Sequence, residues 1–423
     1  MTRHLATFLL VLSAWFPLQA AAEMRGHGGP VKAIAISPDG KTAVTGSFDT
    51  TVIIWDLERE IAKQVLRLHE GPVNGVQFRD SSEFLTGSDD GRLILWTTDN
   101  YSVKRVIGER GPPIIGFHAG AIEGKSTAVI VSGDRTVALA ALESETIVRR
   151  MAASLTEQPL ALAASGPDII LSLANASLRW MVSGKTLSLP TNANTLAATP
   201  DGEIIAGGAD GSITILRPDG SIRLTVEVQE MPITSLAVST DGKLIAAAGL
   251  RGAVKIIARD TGKDISTLIG PGLPVWSLAF HPDGQTILTG GADRMVRKWT
   301  VATGQPLAPA NAPRADFPAS VMNERGAQVF RACDACHTVT PDGGNRAGPT
   351  LHGVFGRRIG TAKDYVYSQD FGKHAITWNA ETIARLFREG PLKVTPGTKM
   401  PDQTIGDAED LKALVEWLER VTR

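Results

Sequence analysis

The stretch HGGPVKAIAISPDGKTAVTGSFDTTVIIWDL, residues 27–57, decides the fold of the first three hundred residues. Short apolar runs alternate with polar residues between turn formers, the pattern of antiparallel strands. The same features return in HEGPVNGVQFRDSSEFLTGSDDGRLILWTT from His69 and in LPVWSLAFHPDGQTILTGGADRMVRKWTV from Leu273. Ser-Pro-Asp-Gly at 37–40 has counterparts at Thr199–Gly202, Ser239–Gly242 and His281–Gly284. Asp-Gly suits the positive backbone angles of a hairpin. A second marker is an Asp six residues before a bulky strand-end residue: Asp49 before Trp55, Asp90 before Trp96, Asp210 before Leu216 and Asp293 before Trp299. Asp134 holds that slot before Ala140, Arg251 replaces it before Ile257, and Trp180 marks a degenerate copy. These anchors give seven units of about 40 residues, the period of a four-stranded propeller blade. Seven such blades can close around a central channel.

The flanks of this region, residues 23–309, have another character. Residues 1–22 open with Arg3, continue with an apolar run from Leu5 to Phe16, break at Pro17 and end with Ala20 and Ala22. That order predicts an export signal cut after Ala22. The apolar run is too short to span a bilayer, so the mature chain is expected to have no membrane span and to reside in a bacterial periplasm. Beyond the repeats, Pro306, Pro309, Pro313 and Pro318 interrupt any strand or helix pattern. Residues 310–322 read as a semi-rigid linker, about 3 Å per residue and up to about 40 Å in reach. The 43 glycines agree with many tight turns, and 43% apolar residues support packed cores. A net charge of -1 carries no footprint for nucleic acid.

Residues 323–423 read as helical. Asn323 is a candidate N-cap for the segment ending in RACDACHTV, Gly390 and Pro391 stop a helix begun at Ala380, and Leu411, Leu414, Val415 and Leu418 share one face of a last helix. The chain's two cysteines, Cys333 and Cys336, form Cys-x-x-Cys-His with His337. Two thiols and an imidazole within one turn suit two thioether bonds to haem and an axial ligand to its iron. The spacing has other uses. A thioredoxin-like site needs a strand-helix-strand setting, a structural zinc site needs a fourth ligand, and a disulfide leaves His337 unexplained.

Two family resemblances follow. The repeats resemble the WD-repeat family, most fully at His27, Ser47, Asp49, Trp55 and at His69, Ser88, Asp90, Trp96. The resemblance implies that these four residues brace a blade through a hydrogen-bonded network. Unit seven departs from it, with Pro271 and Gly291 in place of His and Ser. Residues 323–423 resemble class I cytochrome c of the mitochondrial and related bacterial type. Gly326 and Phe330 match its first helix, and Pro349 matches the proline whose carbonyl holds the proximal histidine. Met400, 63 residues after His337, matches the sixth ligand. Arg357, Tyr365, Tyr367 and Trp378 match the partners of the haem propionates. Leu386 or Phe387 takes the slot of a family tyrosine near that methionine. Ala332 and Leu392 replace lysines of the basic ring around the haem edge, where Lys393, Lys399 and Arg346 remain.

The expectation is therefore a multidomain protein: an all-β seven-bladed propeller followed by an all-α cytochrome c domain. Cys333 and Cys336 would attach one haem c, with His337 and Met400 as iron ligands. Arg357, Tyr365, Tyr367 and Trp378 would hold the cofactor's carboxylates. A saturated iron suits one-electron transfer between redox protein partners, a carrier rather than a catalyst, with the propeller as docking platform. The alternative is a redox enzyme with a substrate or second cofactor site in the propeller.

Overall fold

The computed structural model describes residues 23–423 except 123–124, 144–146, 153–154, 167, 308–320, 322–323 and 369–370. The expected signal, most of the linker and the N-cap Asn323 lie outside the described residues. The strands β1 to β28, from Glu23–Arg25 to Met295–Thr300, form seven four-stranded antiparallel sheets. Blade one is β2 to β5 (Val31–Ile36, Thr42–Ser47, Val52–Asp56, Ile61–Leu66) and blade two is β6 to β9 (Val73–Phe78, Glu83–Ser88, Leu93–Thr97, Val103–Ile107). The innermost strands pack in sequence around the ring, and β26 (Val275–Phe280) returns onto β2. Apolar side chains of adjacent sheets interdigitate, as where Val44 and Ile54 of blade one meet Val73, Phe84 and Trp96 of blade two.

Blade seven shows how the ring shuts. Its sheet runs β1-β28-β27-β26, so the first of the described strands is the outer strand of the last blade. Glu23 faces Arg297 and Arg25 faces Met295 in that pair.

The turns behave as their residues dictate. In Ser-Pro-Asp-Gly the Ser37 hydroxyl and the Lys41 N–H both donate to Asp39 Oδ1, at 2.6 and 3.0 Å, and Gly40 takes φ +74°. In five of the seven units the repeated Asp before the strand-end residue anchors the turn between the second and third strands. Asp49, Asp90, Asp134, Asp210 and Asp293 each accept the N–H two residues on, at 2.8 to 3.1 Å. The residue between is left-handed, including non-glycines Thr50 (φ +69°), Arg135 (+70°) and Arg294 (+68°). In the degenerate unit Asn175 stands in the same place: it accepts from the Ser177 hydroxyl at 2.6 Å and is followed by Ala176 at φ +57°.

One detail of the expected bracing network is corrected. The tryptophan is not linked to the histidine through Ser47 but through Thr45: Trp55 Nε1 donates to Thr45 Oγ1 at 2.8 Å, and His27 Nε2 meets the same oxygen at 2.7 Å. His27 Nδ1 lies 3.2 Å from Asp49 Oδ2. Blade two repeats this with Trp96, Thr86, His69 and Asp90. Ser47 instead donates to the Gly29 carbonyl and accepts from the Asp49 N–H. Blade seven, which lacks His and Ser, keeps half of the network as Trp299 Nε1 on Thr289 Oγ1, at 2.9 Å.

The C-terminal domain is helical. Helix α1 is Arg325–Phe330, α2 Ala380–Glu389, α3 Pro391–Val394 and α4 Ala408–Val421. Helix α1 ends before the two cysteines, which follow in turns, and its N-cap Glu324 makes no side-chain cap bond. Asn379 caps α2 by a capping box, Gly390 ends it at φ +93°, and Asp407 caps α4 by accepting from Glu409 N and Asp410 N. Gly326 lets α1 cross α4 at contact distance, since a Cβ there would strike the Ala413 carbonyl and Trp417. The Phe330 and Trp417 rings pack 5.1 Å apart at that crossing. Among the described residues no helix is long and apolar enough to cross a membrane.

Candidate functional site

A cavity of about 370 Å³ opens beside the α1–α4 crossing. Cys333, Cys336, His337, Arg357, Tyr365, Tyr367, Trp378 and Met400, all eight residues singled out from the sequence, line it. Leu386 and Phe387, at the expected tyrosine slot, line it too, with Phe330, Leu351, Val354 and Ile383.

The local backbone sets the two thiols and the imidazole. The N–H groups of Cys336 and His337 both donate to the Cys333 carbonyl at 3.0 Å, which closes the Cys-x-x-Cys-His turn. No disulfide joins the two cysteines. Burial pushes the Cys333 thiol up to about 12, with the charges of Cys336 and Asp334 adding to it. Burial, and then the charge of Asp49, pushes Cys336 up to about 11.

His337 is held by its Nδ1, 2.8 Å from the Pro349 carbonyl oxygen. That carbonyl can only accept, so Nδ1 carries the proton and Nε2 keeps a free lone pair. Burial lowers the imidazole pKa and favours this neutral form. Gly348 leaves room for the ring, since a Cβ there would collide with it. The Met400 N–H is held by Thr398 Oγ1 at 3.1 Å.

The polar wall is unevenly committed. Arg357 donates from Nη1 to the His352 carbonyl (3.1 Å) and from Nη2 to the Thr350 carbonyl (2.6 Å). Its Nε is buried and has no partner among the described residues. Tyr365 donates to the Ala347 carbonyl at 2.8 Å, and the Tyr367 hydroxyl accepts the Ala362 N–H at 3.3 Å. The two rings meet edge-on, 4.6 Å apart.

These residues fit a haem. The walls are apolar, two thiols sit at one rim, and an imidazole nitrogen and a thioether sulfur suit iron. The orphaned Arg357 Nε is a donor for which a buried carboxylate is the natural acceptor.

The sequence did not reveal the other half of the wall. Gly28, Gly29, Phe48, Asp49, Thr51 and Arg67, all from blade one and the connection to blade two, line the same cavity. Arg67 donates to the Arg346 and Ala347 carbonyls at 2.5 and 2.6 Å, and its guanidinium lies 4.0 Å from the Tyr365 ring centre. The two domains are thus in contact rather than held apart by an extended spacer. Among the described residues no group of three or more His, Cys, Asp or Glu could hold a metal ion.

Comparison with known proteins agrees with this division. The profile of the family described as "Cytochrome c" matches residues 323–422. That described as "WD domain, G-beta repeat" matches residues 19–56, 62–97 and 262–300. Cytochrome c of Gibberella zeae is 39% identical over 101 residues, which are 24% of this chain and 94% of that protein. Cytochrome c of Arabidopsis thaliana is 36% identical over 101 residues, 24% of this chain and 89% of that protein. Cytochrome c2 of Blastochloris viridis is 35% identical over 95 residues, 22% of this chain and 74% of that protein.

Proposed function

The chain belongs to the cytochrome c family through its C-terminal domain, and from that premise we propose an exported, single-haem electron carrier whose propeller docks its redox partners. The domain implies covalently bound haem c and electron transfer. One observation carries the reading: two thiols, an imidazole with a free Nε2 and a methionine share one apolar cavity. Cys333 and Cys336 attach the cofactor, and His337 and Met400 ligate its iron. When bound, the haem supplies an iron that accepts and returns one electron. Pro349 fixes the tautomer and direction of His337. Arg357 offers its orphaned Nε to a propionate, and Tyr365, Tyr367 and Trp378 wall that side. Apolar residues keep water from the ring and so help set the potential. Export to the periplasm is supported by the signal-like order of residues 1–22.

The test is haem retention. Protein produced in a host with c-type maturation should keep its haem through denaturation and acidified organic solvent. It should also reduce with ascorbate to a low-spin spectrum with one haem per chain. Haem that extracts into the solvent would end the proposal.

A further inference from the structure

We propose that the propeller is itself the resident partner of the haem domain: blade one and the connections on either side of it close the Cys336 side of the haem cavity and hold the loop that orients His337. Electron exchange through that side is therefore governed by separation of the two domains. This rests on the haem-carrier reading above.

The contact is reciprocal. From the propeller, Arg67 reaches the carbonyls of Arg346 and Ala347, and the Gly26 carbonyl accepts the Ala347 N–H at 2.8 Å. From the haem domain, Lys399 donates to Thr50 Oγ1 and to the His69 carbonyl, each at 3.2 Å. Arg25 pairs with Asp334, next to Cys333, at 3.2 Å. Lys399 is one of the few basic residues left at the haem edge, and it is spent on the propeller rather than offered to an outside partner. The contacts on the propeller side come from one end of the ring, since the β3–β4 turn and the β5–β6 connection lie at the same end of blade one.

The loop they grip is the one that positions the proximal ligand. Gly348 donates to the Cys336 carbonyl at 2.8 Å, and Pro349 accepts from His337 at 2.8 Å. The segment from Arg346 to Pro349 is thus fastened to the Cys-x-x-Cys-His turn on one side and to the propeller on the other. Arg67 is a positioning residue that acts through two backbone carbonyls. Both bonds leave one nitrogen, Nη2, while Nη1 donates to the Val65 carbonyl of its own blade at 3.4 Å. The contact consists largely of polar bonds, and such interfaces between domains of one chain permit relative motion.

The experiment uses the full-length, haem-loaded protein and compares it with R67A, R67K and R25A. Hydrogen–deuterium exchange is read at residues 345–350, together with the second-order rate of reduction by ascorbate. The intact protein should protect this segment. R67A should raise its exchange at least tenfold while leaving β27 (Thr286–Gly291) and α4 unchanged, and should quicken ascorbate reduction several-fold. R67K and R25A should give smaller effects in the same direction, and they carry the test if R67A does not accumulate. Fast exchange of the segment in the intact protein, or variants with unchanged exchange and unchanged rate, would overturn the inference. A protein without covalent haem would instead overturn the carrier reading, and the exchange measurement would still report on the domain contact.

Discussion

Gly28, in the turn before β2, faces Cys336 so closely that a Cβ at position 28 would lie 2.8 Å from the cysteine sulfur. The approach is possible only without a side chain, and Gly28 is fixed there by its N–H, which donates to Asp49 Oδ2 at 2.6 Å. Blade one and the haem-attachment turn therefore meet backbone to sulfur.

Gly28→Val should push the two domains apart without touching either core. The variant should keep its covalent haem and its blade network but show a larger radius of gyration by small-angle scattering. Identical scattering curves for variant and parent would rule out a spacing role for this glycine.

Met400→Ala removes the one thioether lining the cavity. The ferric protein should lose the weak absorption band of a methionine–iron bond, and the ferrous protein should bind carbon monoxide. Persistence of the band would assign the sixth ligand to another residue.

The shared threonines give a graded test of the blades. Thr45→Val strips the partner from both Trp55 Nε1 and His27 Nε2. Each buried group left unsatisfied costs about 1–3 kcal/mol, so a loss of about 3 kcal/mol is expected. Thr289→Val orphans only Trp299 Nε1 and should cost about half as much. Urea unfolding followed by tryptophan fluorescence measures both, and equal losses would contradict the ordering.

Acid should weaken blade one through Asp49. Burial pushes its carboxyl up, but the charge and hydrogen bond of His27 and the bonds from Thr51 outweigh this and hold it at about 2. A carboxyl lowered from about 3.9 stabilises the fold above that value and loses its contribution as pH falls through the folded value. About 2 kcal/mol should therefore vanish between about pH 4 and pH 2. Asp49→Asn should lower stability at neutral pH and flatten that limb; an acid limb of unchanged steepness would show that other carboxylates dominate it.

What could be read from the sequence was local and periodic. Asp-Gly turns and the Asp-to-Trp interval gave the blades because one turn geometry recurs in each. Thr45 has its own signal, since a threonine stands ten residues before each of Trp55, Trp96 and Trp299. Asn175 escapes that count because it stands where the marker Asp would be and takes a serine hydroxyl in its place. The cavity residues were legible because thiols, imidazole and thioether have few joint uses. Arg67 was not, since a surface arginine between two blades carries no pattern until the other domain is laid against it. The closing strand β1 was equally silent: three residues, Glu-Met-Arg, show no period, and their partners lie in the last blade.

That closing strand also sets how the ring meets mechanical load. Glu23 lies opposite Arg297 and Arg25 opposite Met295, so β1 begins at the end of the pair where β28 finishes. Tension between the two ends of the propeller therefore peels this short antiparallel pair one rung at a time instead of shearing all rungs together. Within that pair the Glu23–Arg297 ion pair, at 2.8 Å, stands at the loaded end.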